Sequence, residues 1–306
     1  MAIQKQLKDR IKELKVRYES LRIGRDELLK LLEEAEVAES VYNSNAIENS
    51  TLTLRETERI LLELSVAREV STREIFEAKN LARVGEYMGE KAKAANLNKE
   101  MILLLHKMLM TAIRDDIAGR FRVAGEYVRV GSYVAPPPEQ VEKMMEEVIT
   151  GFYNDHESYF IGKIARFHLE FEEIHPFNDG NGRIGRAIIN WQLIRLGFPP
   201  IIVRNKEKSD YYDSFTIHRD KNNLKPMAKI ITLGLMESLH KRITYFEGAP
   251  IIKLSEFAKK QNKTASSLTN AARRQTIPAF REKGVWKISQ NTTLNQLPRS
   301  KLRGMN

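Results

Sequence analysis

Apolar residues recur at three- and four-residue intervals through most of the first 250 residues of this 306-residue chain. This spacing places apolar side chains on one face of a helix, so each such stretch predicts an amphipathic α-helix. The first stretch predicts a long amphipathic or paired helix. The predicted helical ranges are 4–36, 54–68, 72–94, 98–114, 137–153, 157–174, 183–196, 209–219 and 225–246. We therefore expect an all-α fold.

One segment of this region has the two-residue alternation of a β-strand. It covers 121–134 and has the sequence FRVAGEYVRVGSYV. Ala124 and Gly125 in its middle predict the turn of a small β-hairpin. Three prolines at 136–138 end the hairpin and favour a helix start, because proline is tolerated in the first helical turn.

The positive charge of the chain is concentrated near its C-terminus. Residues 251–306 hold 12 Lys and Arg against 2 Asp and Glu, whereas the remaining residues hold 38 of each sign. Gly248-Ala249-Pro250 breaks the helical pattern and predicts a boundary between domains at 1–249 and 250–306. A compact basic module favours a polyanionic partner, nucleic acid first, although a solvated basic tail is the alternative.

Several classes of protein are disfavoured by composition. The chain has no cysteine, so disulfides and thiolate metal sites are excluded, and a cytoplasmic location is expected. It has no run of eighteen apolar residues, so no membrane span is expected. The charged N-terminal sequence MAIQKQLKDRIKELK does not read as a signal peptide.

A twelve-residue stretch at 175–186, HPFNDGNGRIGR, places a histidine beside a glycine-rich loop. Pro176 ends the preceding helix, so we expect the His175 ring at the mouth of the loop. With a reference pKa of about 6.5, this imidazole can take a proton from a hydroxyl near neutral pH. His168 differs, because it lies in an apolar stripe and reads as a core residue.

The loop and the helix after it carry the features of an anion site. Glycines allow close backbone approach, and the amides at a helix start favour anions. Asp179 is a hard oxygen ligand suited to Mg²⁺, and the guanidinium groups of Arg183 and Arg186 can bind separate phosphates. An ordinary turn with surface arginines explains the glycines but not the flanking histidine and paired arginines.

This stretch resembles the signature of the Fic family, HxFxDGNGRxxR, and matches it at every specified position. The resemblance extends over roughly 40–245. It implies an all-α Fic-type helical core with a small β-hairpin flap, in agreement with the periodicity.

The resemblance also implies an activity and its residues. His175 is the general base that activates a Ser, Thr or Tyr hydroxyl of a target protein, which then takes AMP from ATP. Asp179 holds Mg²⁺, Arg186 binds the γ-phosphate, and Phe177 packs in the core. The other implied ATP-binding residues are Gly180, Asn181, Gly182 and Arg183 in the anion hole, Val130, Gly131, Ser132 and Tyr133 in the flap, and Tyr211 in the adenine pocket.

A second motif at 44–49, SNAIEN, matches the family's inhibitory pattern [S/T]xxxE[G/N]. Ser44 and Glu48 occupy its two key positions. The Glu48 carboxylate can pair with Arg186 in place of the γ-phosphate, which would slow transfer until Glu48 is displaced. The same carboxylate can instead position water that removes AMP from a modified protein, so de-AMPylation is an alternative.

The basic C-terminal segment resembles a helix-turn-helix with a small wing, as in excisionase-like DNA-binding modules. It predicts helices at 254–261 and 265–274 and a strand around Trp286 and Ile288. The second helix exposes polar side chains suited to bases and phosphates: Ser266, Ser267, Asn270, Arg273 and Arg274. The competing interpretation of this winged-helix-like module is a small docking domain whose basic face meets an acidic protein or the helical core.

The leading hypothesis is a protein adenylyltransferase that uses ATP and Mg²⁺ and is inhibited by Glu48. The alternatives are a de-AMPylase, a transferase for another phosphate-containing group, and a DNA-binding regulator whose core senses nucleotides. A kinase is disfavoured because Gly182 and Arg183 retain the AMP-transfer form of the motif. A homodimer through the N-terminal helix is a further expectation.

Overall fold

The structure is a computed structural model that describes residues 5–131 and 133–294. The chain forms two compact units. The first is built around Ala35–Thr232, and the second combines Gln6–Glu34 with the segment that begins at Leu233. The domain boundary that the sequence predicts between residues 249 and 250 is not tested by this division and stays a prediction.

The predicted all-α fold with a small hairpin is confirmed. The helices before the hairpin are α1 (Lys5–Arg22), α2 (Asp26–Ile47), α3 (Leu54–Leu61), α4 (Thr72–Lys91) and α5 (Lys99–Met110). The hairpin strands are β1 (Arg129–Val130) and β2 (Tyr133–Val134). The helices after it are α6 (Pro138–Asn154), α7 (Phe160–Ile174), α8 (Asn181–Arg195), a 3₁₀ turn (Asn205–Glu207), α9 (Lys208–Lys221) and α10 (Lys225–Phe246).

Two predicted helices have different bounds. The range 4–36 is two helices, because Gly24 adopts a left-handed φ of 71° between α1 and α2. The range 54–68 is helical only to Leu61, and Glu63 has a positive φ of 59° just beyond it. In both places a local left-handed residue ends a helix that apolar spacing alone would continue.

The hairpin is shorter than predicted, and its turn lies elsewhere. Val130 pairs with Tyr133, so the chain reverses after Gly131, which has a φ of 60°. Gly125 also has a positive φ, but it forms an isolated turn in which the Glu126 N–H donates to the Val123 carbonyl at 2.9 Å. A turn is thus present at Ala124-Gly125, but its prediction as the turn of the hairpin was wrong, because the paired strands flank Gly131 instead.

The core of the first unit lies under the loop that follows α7. Helix α7 packs against α6 and α8, and α8 also packs against α4 and α5. The largest fully buried side chains of this core include Trp191, Phe171 and Phe177. The twelve-residue motif at 175–186 thus begins at the end of α7 and continues into α8.

The second unit contains a small antiparallel sheet. Its elements after α10 are β3 (Ile251–Lys253), α11 (Leu254–Lys260), α12 (Ala265–Arg273), β4 (Ala279–Glu282) and β5 (Val285–Ser289). The strand order is β3-β5-β4, and Lys283 and Gly284 form the tight turn between the last two strands. The two predicted helices are present within one residue of their predicted bounds, whereas β3 and β4 were not predicted.

No helix in the described part of the chain combines the length and the apolar character needed to cross a bilayer.

Candidate active site

His175 lies at the junction between α7 and the motif loop. It is the C-terminal cap of α7 and has a left-handed backbone, with φ 51° and ψ 61°. Its Nδ1 lies 3.4 Å from the Glu172 carbonyl oxygen, which leaves Nε2 to meet a substrate. Burial lowers the His175 pKa from its usual 6.5 to about 4. The imidazole is therefore neutral at pH 7 and able to accept a proton.

The loop is held in one conformation by buried contacts. The Asn181 side chain accepts from the Phe177 N–H at 2.9 Å and donates to the Phe177 carbonyl at 2.7 Å. Phe177 is fully buried, as expected, and stacks on His106 with a centroid distance of 3.7 Å. The Asn181 side chain is thus used within the loop, and only its backbone remains for an anion.

His106 was not identified from the sequence, because it reads as one more polar residue in an apolar helix. The Gly119 N–H donates to its Nδ1 at 3.0 Å, and its Nε2 lies 3.1 Å from the Asp179 carbonyl oxygen. This pairing requires a proton on Nε2 and none on Nδ1. His106 therefore supports the loop as a neutral imidazole.

The start of α8 offers backbone donors to an anion. Its N-cap, Gly180, has a φ of 84° and provides no side-chain cap. The first N–H groups of a helix lack intrahelical acceptors, and the helix dipole adds positive potential there. A β-carbon at Gly182 would lie 2.9 Å from Cδ of Glu48. The Glu48 carboxyl group thus lies directly against this first turn.

Arg186 connects the two sequence motifs. Its Nη1 lies 2.9 Å from the Glu48 carboxylate. Its Nε donates to the Ser44 hydroxyl at 3.0 Å, and its Nη2 donates to the Ser44 carbonyl at 2.8 Å. The pairing predicted from the sequence is present, with Glu48 just beyond the last residue of α2.

Arg183 is not open to a phosphate in this structure. Its buried guanidinium pairs with Asp179 at 2.9 Å and with Glu77 at 3.0 Å. Arg73 closes the group, since it pairs with Glu77 at 3.0 Å and with Asp179 at 2.5 Å. We call these four residues the Asp179 ion-pair cluster. It leaves the backbone of Arg183, and not its side chain, for the predicted anion hole.

A layer of buried polar groups lies beneath Arg186. The Tyr211 hydroxyl lies 2.8 Å from Nε2 of His168 and 3.4 Å from Nη1 of Arg186. Tyr211 is fully buried, and its adenine-pocket role stays a prediction. Burial, with a contribution from Glu48, raises the pKa of Glu172 to about 8.

Glu172 makes the stability of the protein dependent on pH. Its carboxyl is neutral in the folded protein below about pH 8, whereas in the unfolded chain it ionises above about pH 4.3. Because the unfolded state then binds fewer protons, stability falls as pH rises through this window. Between pH 7.5 and 8.5 the buried histidines are almost wholly neutral in both states, because the pKa of an unfolded histidine is about 6.5. We expect the melting temperature to decline over this window.

The matched variant for this measurement is Glu172→Gln, which keeps the shape of the side chain and removes its titration. Its melting temperature, followed by circular dichroism, should be nearly flat from pH 7.5 to 8.5. An equal decline in both proteins would assign the effect to another group.

The flap residues lie in and beside the hairpin. Val130 and Gly131 are exposed, and the Tyr133 ring lies under the Arg219 guanidinium at 5.0 Å. Ser132, the fourth predicted flap residue, lies outside the described residues. The nucleotide-contacting role of the flap stays a prediction.

Comparison with known proteins shows what this part of the chain is similar to. Residues 96–193 match the family model described as Fic/DOC family. The chain is 28% identical over 241 residues to a protein adenylyltransferase Fic of Nematostella vectensis, which covers 75% of this chain and 54% of that protein. It is 26% identical over 217 residues to one of Culex quinquefasciatus, covering 66% and 41%. The chain thus spans about half, or less, of these curated relatives.

Solved structures show the same fold. A Fic domain containing signaling protein from Bacteroides thetaiotaomicron has a TM-score of 0.70 at 24% identity, covering 78% of this chain and 97% of that one. A Fic family protein from Desulfovibrio desulfuricans has a TM-score of 0.61 at 19% identity, covering 96% and 98%. The second match extends the fold likeness over nearly the whole chain.

Proposed function

Since this chain is a Fic-family protein, we propose that it transfers AMP from ATP to a Ser, Thr or Tyr hydroxyl of a target protein. The observation that carries the proposal is the position of His175 at the end of α7, followed by a short loop whose Gly180 starts α8 without a side-chain cap. His175 Nε2 takes the hydroxyl proton while that oxygen bonds to the α-phosphorus. The bond from the α-phosphorus to its bridging oxygen breaks, and pyrophosphate leaves.

The phosphates would be held by the chain at two places. The backbone N–H groups at 181–183 suit an anion at the first turn of α8. Arg186 suits the terminal phosphate, because its Nη1 already binds the oxygen anion of Glu48. Donors fixed before the reaction stabilise developing charge without further reorganisation.

Incubation with labelled ATP and Mg²⁺ tests this proposal. Label from α-labelled ATP should reach protein, and label from γ-labelled ATP should not. Transfer from γ-labelled ATP would indicate a kinase. A Glu48→Gly variant that labels nothing from either nucleotide would overturn the transferase proposal.

Mg²⁺ is part of the proposal, with Asp179 as its protein ligand. Within the described chain no three acidic or histidine side chains form a ready-made metal site. The Asp179 carboxylate nevertheless suits a cation, because both of its oxygens already bind positively charged guanidinium groups. A single carboxylate with phosphate oxygens is a common Mg²⁺ donor set. The ion would neutralise phosphate charge.

Arg73 is expected to compete with the metal for Asp179. Its side chain is more than half exposed and can leave the carboxylate readily. An exposed ion pair contributes about 0.2–1 kcal/mol, so Arg73→Ala should tighten ATP-dependent Mn²⁺ binding by up to about fivefold. Electron paramagnetic resonance of free Mn²⁺ measures this binding. Arg73→Lys, which keeps the competing charge, is the control, and weaker binding by Arg73→Ala would contradict the competition.

Glu48 is proposed to inhibit transfer by occupying the γ-phosphate position on Arg186. De-AMPylation by a water that Glu48 positions is the alternative at the same site. Protein carrying labelled AMP, returned to the wild type and to the Glu48→Gly variant, separates the two. Loss of label that requires Glu48 would favour the removal reaction.

For the second unit we propose binding to duplex DNA. Support comes from the three-stranded sheet, from the two helices α11 and α12 that accompany it, and from exposed polar residues of α12 and its C-terminal cap: Ser266, Ser267, Asn270, Arg273 and Arg274. Two arginines at the end of α12 suit phosphates. The docking-domain interpretation remains the alternative.

Replacing Arg273 and Arg274 with alanine is expected to weaken DNA binding and its salt dependence. Each lost phosphate contact lowers the slope of log K against log salt by about 0.9, so the double variant should lose about 1.8. Fluorescence anisotropy from 50 to 300 mM salt measures the slope. A charge-matched control is Arg55→Ala with Lys93→Ala. Equal losses would indicate non-specific charge, and no binding by the wild type would favour docking.

A cytoplasmic location and a homodimer complete the proposal. The absence of cysteine supports the first. The long charged helix α1 is the proposed dimer element. Gel filtration with light scattering on the full chain tests the dimer, and a monomeric mass would overturn it.

A further inference from the structure

A buried arginine outside the twelve-residue motif connects the flap to the catalytic-type histidine. Arg122 is 3% exposed; the carboxylates of Glu126 and Glu139 act on its charge, but among the described residues no carboxylate lies within ion-pair distance of it. Burying a charge without an ion-pair partner is costly unless hydrogen bonds replace its hydration. The groups that accept hydrogen bonds from Arg122 therefore indicate the role of its guanidinium group.

Every side-chain acceptor of Arg122 is a main-chain carbonyl. On one side, Nε donates to the His175 carbonyl at 2.8 Å, and Nη2 donates to the Ile174 carbonyl at 3.2 Å. On the other side, Nη1 donates to Glu126 at 3.0 Å, and Nη2 donates to Pro136 at 2.9 Å. The first pair closes α7, and the second pair flanks the flap hairpin.

The contacts with α7 stabilise an unusual backbone. A non-glycine residue in the left-handed region costs roughly 1–2 kcal/mol. His175 has this backbone, and its carbonyl and that of Ile174 lack helical partners at the end of α7. The Arg122 guanidinium satisfies both carbonyls, and its charge complements the negative end of the helix dipole. The Arg122 N–H adds a bond to the Pro176 carbonyl at 2.9 Å.

The contacts with the flap are equally specific. The β1–β2 ladder is only two residues long on each strand. Such a hairpin is marginal by itself. Arg122 bonds the carbonyls at 126 and 136, one before and one after the ladder. One planar side chain thus fixes the base of the flap against the residue that carries the imidazole.

We propose that Arg122 is a positioning residue that sets the flap relative to His175, so that a hydroxyl aligned by the flap meets Nε2. The inference rests on the proposed transferase function. Lysine cannot replace it, because one ammonium group cannot reach carbonyls on two sides in the geometry of a guanidinium fork.

Hydrogen exchange of Arg122→Lys in the full chain tests the coupling without any activity. The amides of 128–135 and the His175 amide should exchange at least tenfold faster, while α8 amides stay unchanged. Arg120→Lys is the matched control. Arg120 also contacts the base of the flap, where it donates to the Glu126 carboxylate at 2.8 Å, but it has no hydrogen bond to α7. This control should leave the His175 amide unchanged. Faster exchange at the flap alone would overturn the coupling.

Kinetics in the Glu48→Gly background give a second readout. Arg122→Lys should lower the rate of AMP transfer at least tenfold while the KM and the binding constant for ATP change less than twofold. A parallel loss of ATP binding would indicate general structural damage and overturn the positioning role, as would an unchanged rate. If the Glu48→Gly parent transfers no AMP, the transferase proposal fails, while the exchange experiment still decides the role of Arg122.

Discussion

Replacing His175 with alanine should lower AMP transfer by a factor of about 10² to 10⁴, the usual contribution of a general base. The imidazole has its Nδ1 against the Glu172 carbonyl and is neutral near pH 7 because burial lowers its pKa to about 4. Alanine removes the proton acceptor and leaves the start of α8 in place. The measurement is the initial rate of label transfer from α-labelled ATP in a Glu48→Gly background, where the parent rate is highest.

Two control measurements make this result specific to His175. His156→Ala is the control, since His156 is exposed in the segment between α6 and α7 and should not affect the rate. ATP binding by the His175 variant should stay within about threefold, because the imidazole is not among the groups proposed to bind phosphate. Transfer that survives in His175→Ala would mean that another group takes the proton.

Glu48→Gly should raise the rate of AMP transfer by roughly ten- to fiftyfold. A charge-assisted hydrogen bond contributes about 1.5–3 kcal/mol, and the lower part of that range applies because 33% of the Glu48 side chain is exposed. The substitution frees Nη1 of Arg186 and the space against Gly182. Glu48 follows the last residue of α2, so glycine there removes no helical turn.

The measurement is the rate of transfer from α-labelled ATP, and its graded control is Glu48→Gln. Glutamine keeps the length of the side chain and loses the charge, so its rate should lie between those of the wild type and Glu48→Gly. Equal rates in all three proteins would remove Glu48 from the regulation of transfer. A higher rate with unchanged ATP binding would still fit, because the proposed effect is on the pose of the terminal phosphate.

Some features of the candidate site could be predicted from the sequence, and others could not. The spacing of the motif predicted a histidine at a helix end followed by a helix that starts at a glycine loop. The match of residues 44–49 to the family's inhibitory pattern led to the expectation that Glu48 meets Arg186. The sequence did not reveal Arg122, because an arginine in an alternating segment looks like a solvated strand residue. Nor did it show that the Arg183 side chain is enclosed by Glu77 and Asp179.

The amino-acid sequence by itself determined the helical class of this protein, the identity of its loop chemistry and the helices of its basic module, since these depend on neighbouring residues and short periodicities. The tertiary structure decided which acidic partners each guanidinium has, where the hairpin reverses and how far each pKa moves. Arg186 and Ser44 are 142 positions apart. Contacts over such separations, and the loss of hydration that shifts the pKa of His175 and Glu172, exist only once the chain has packed.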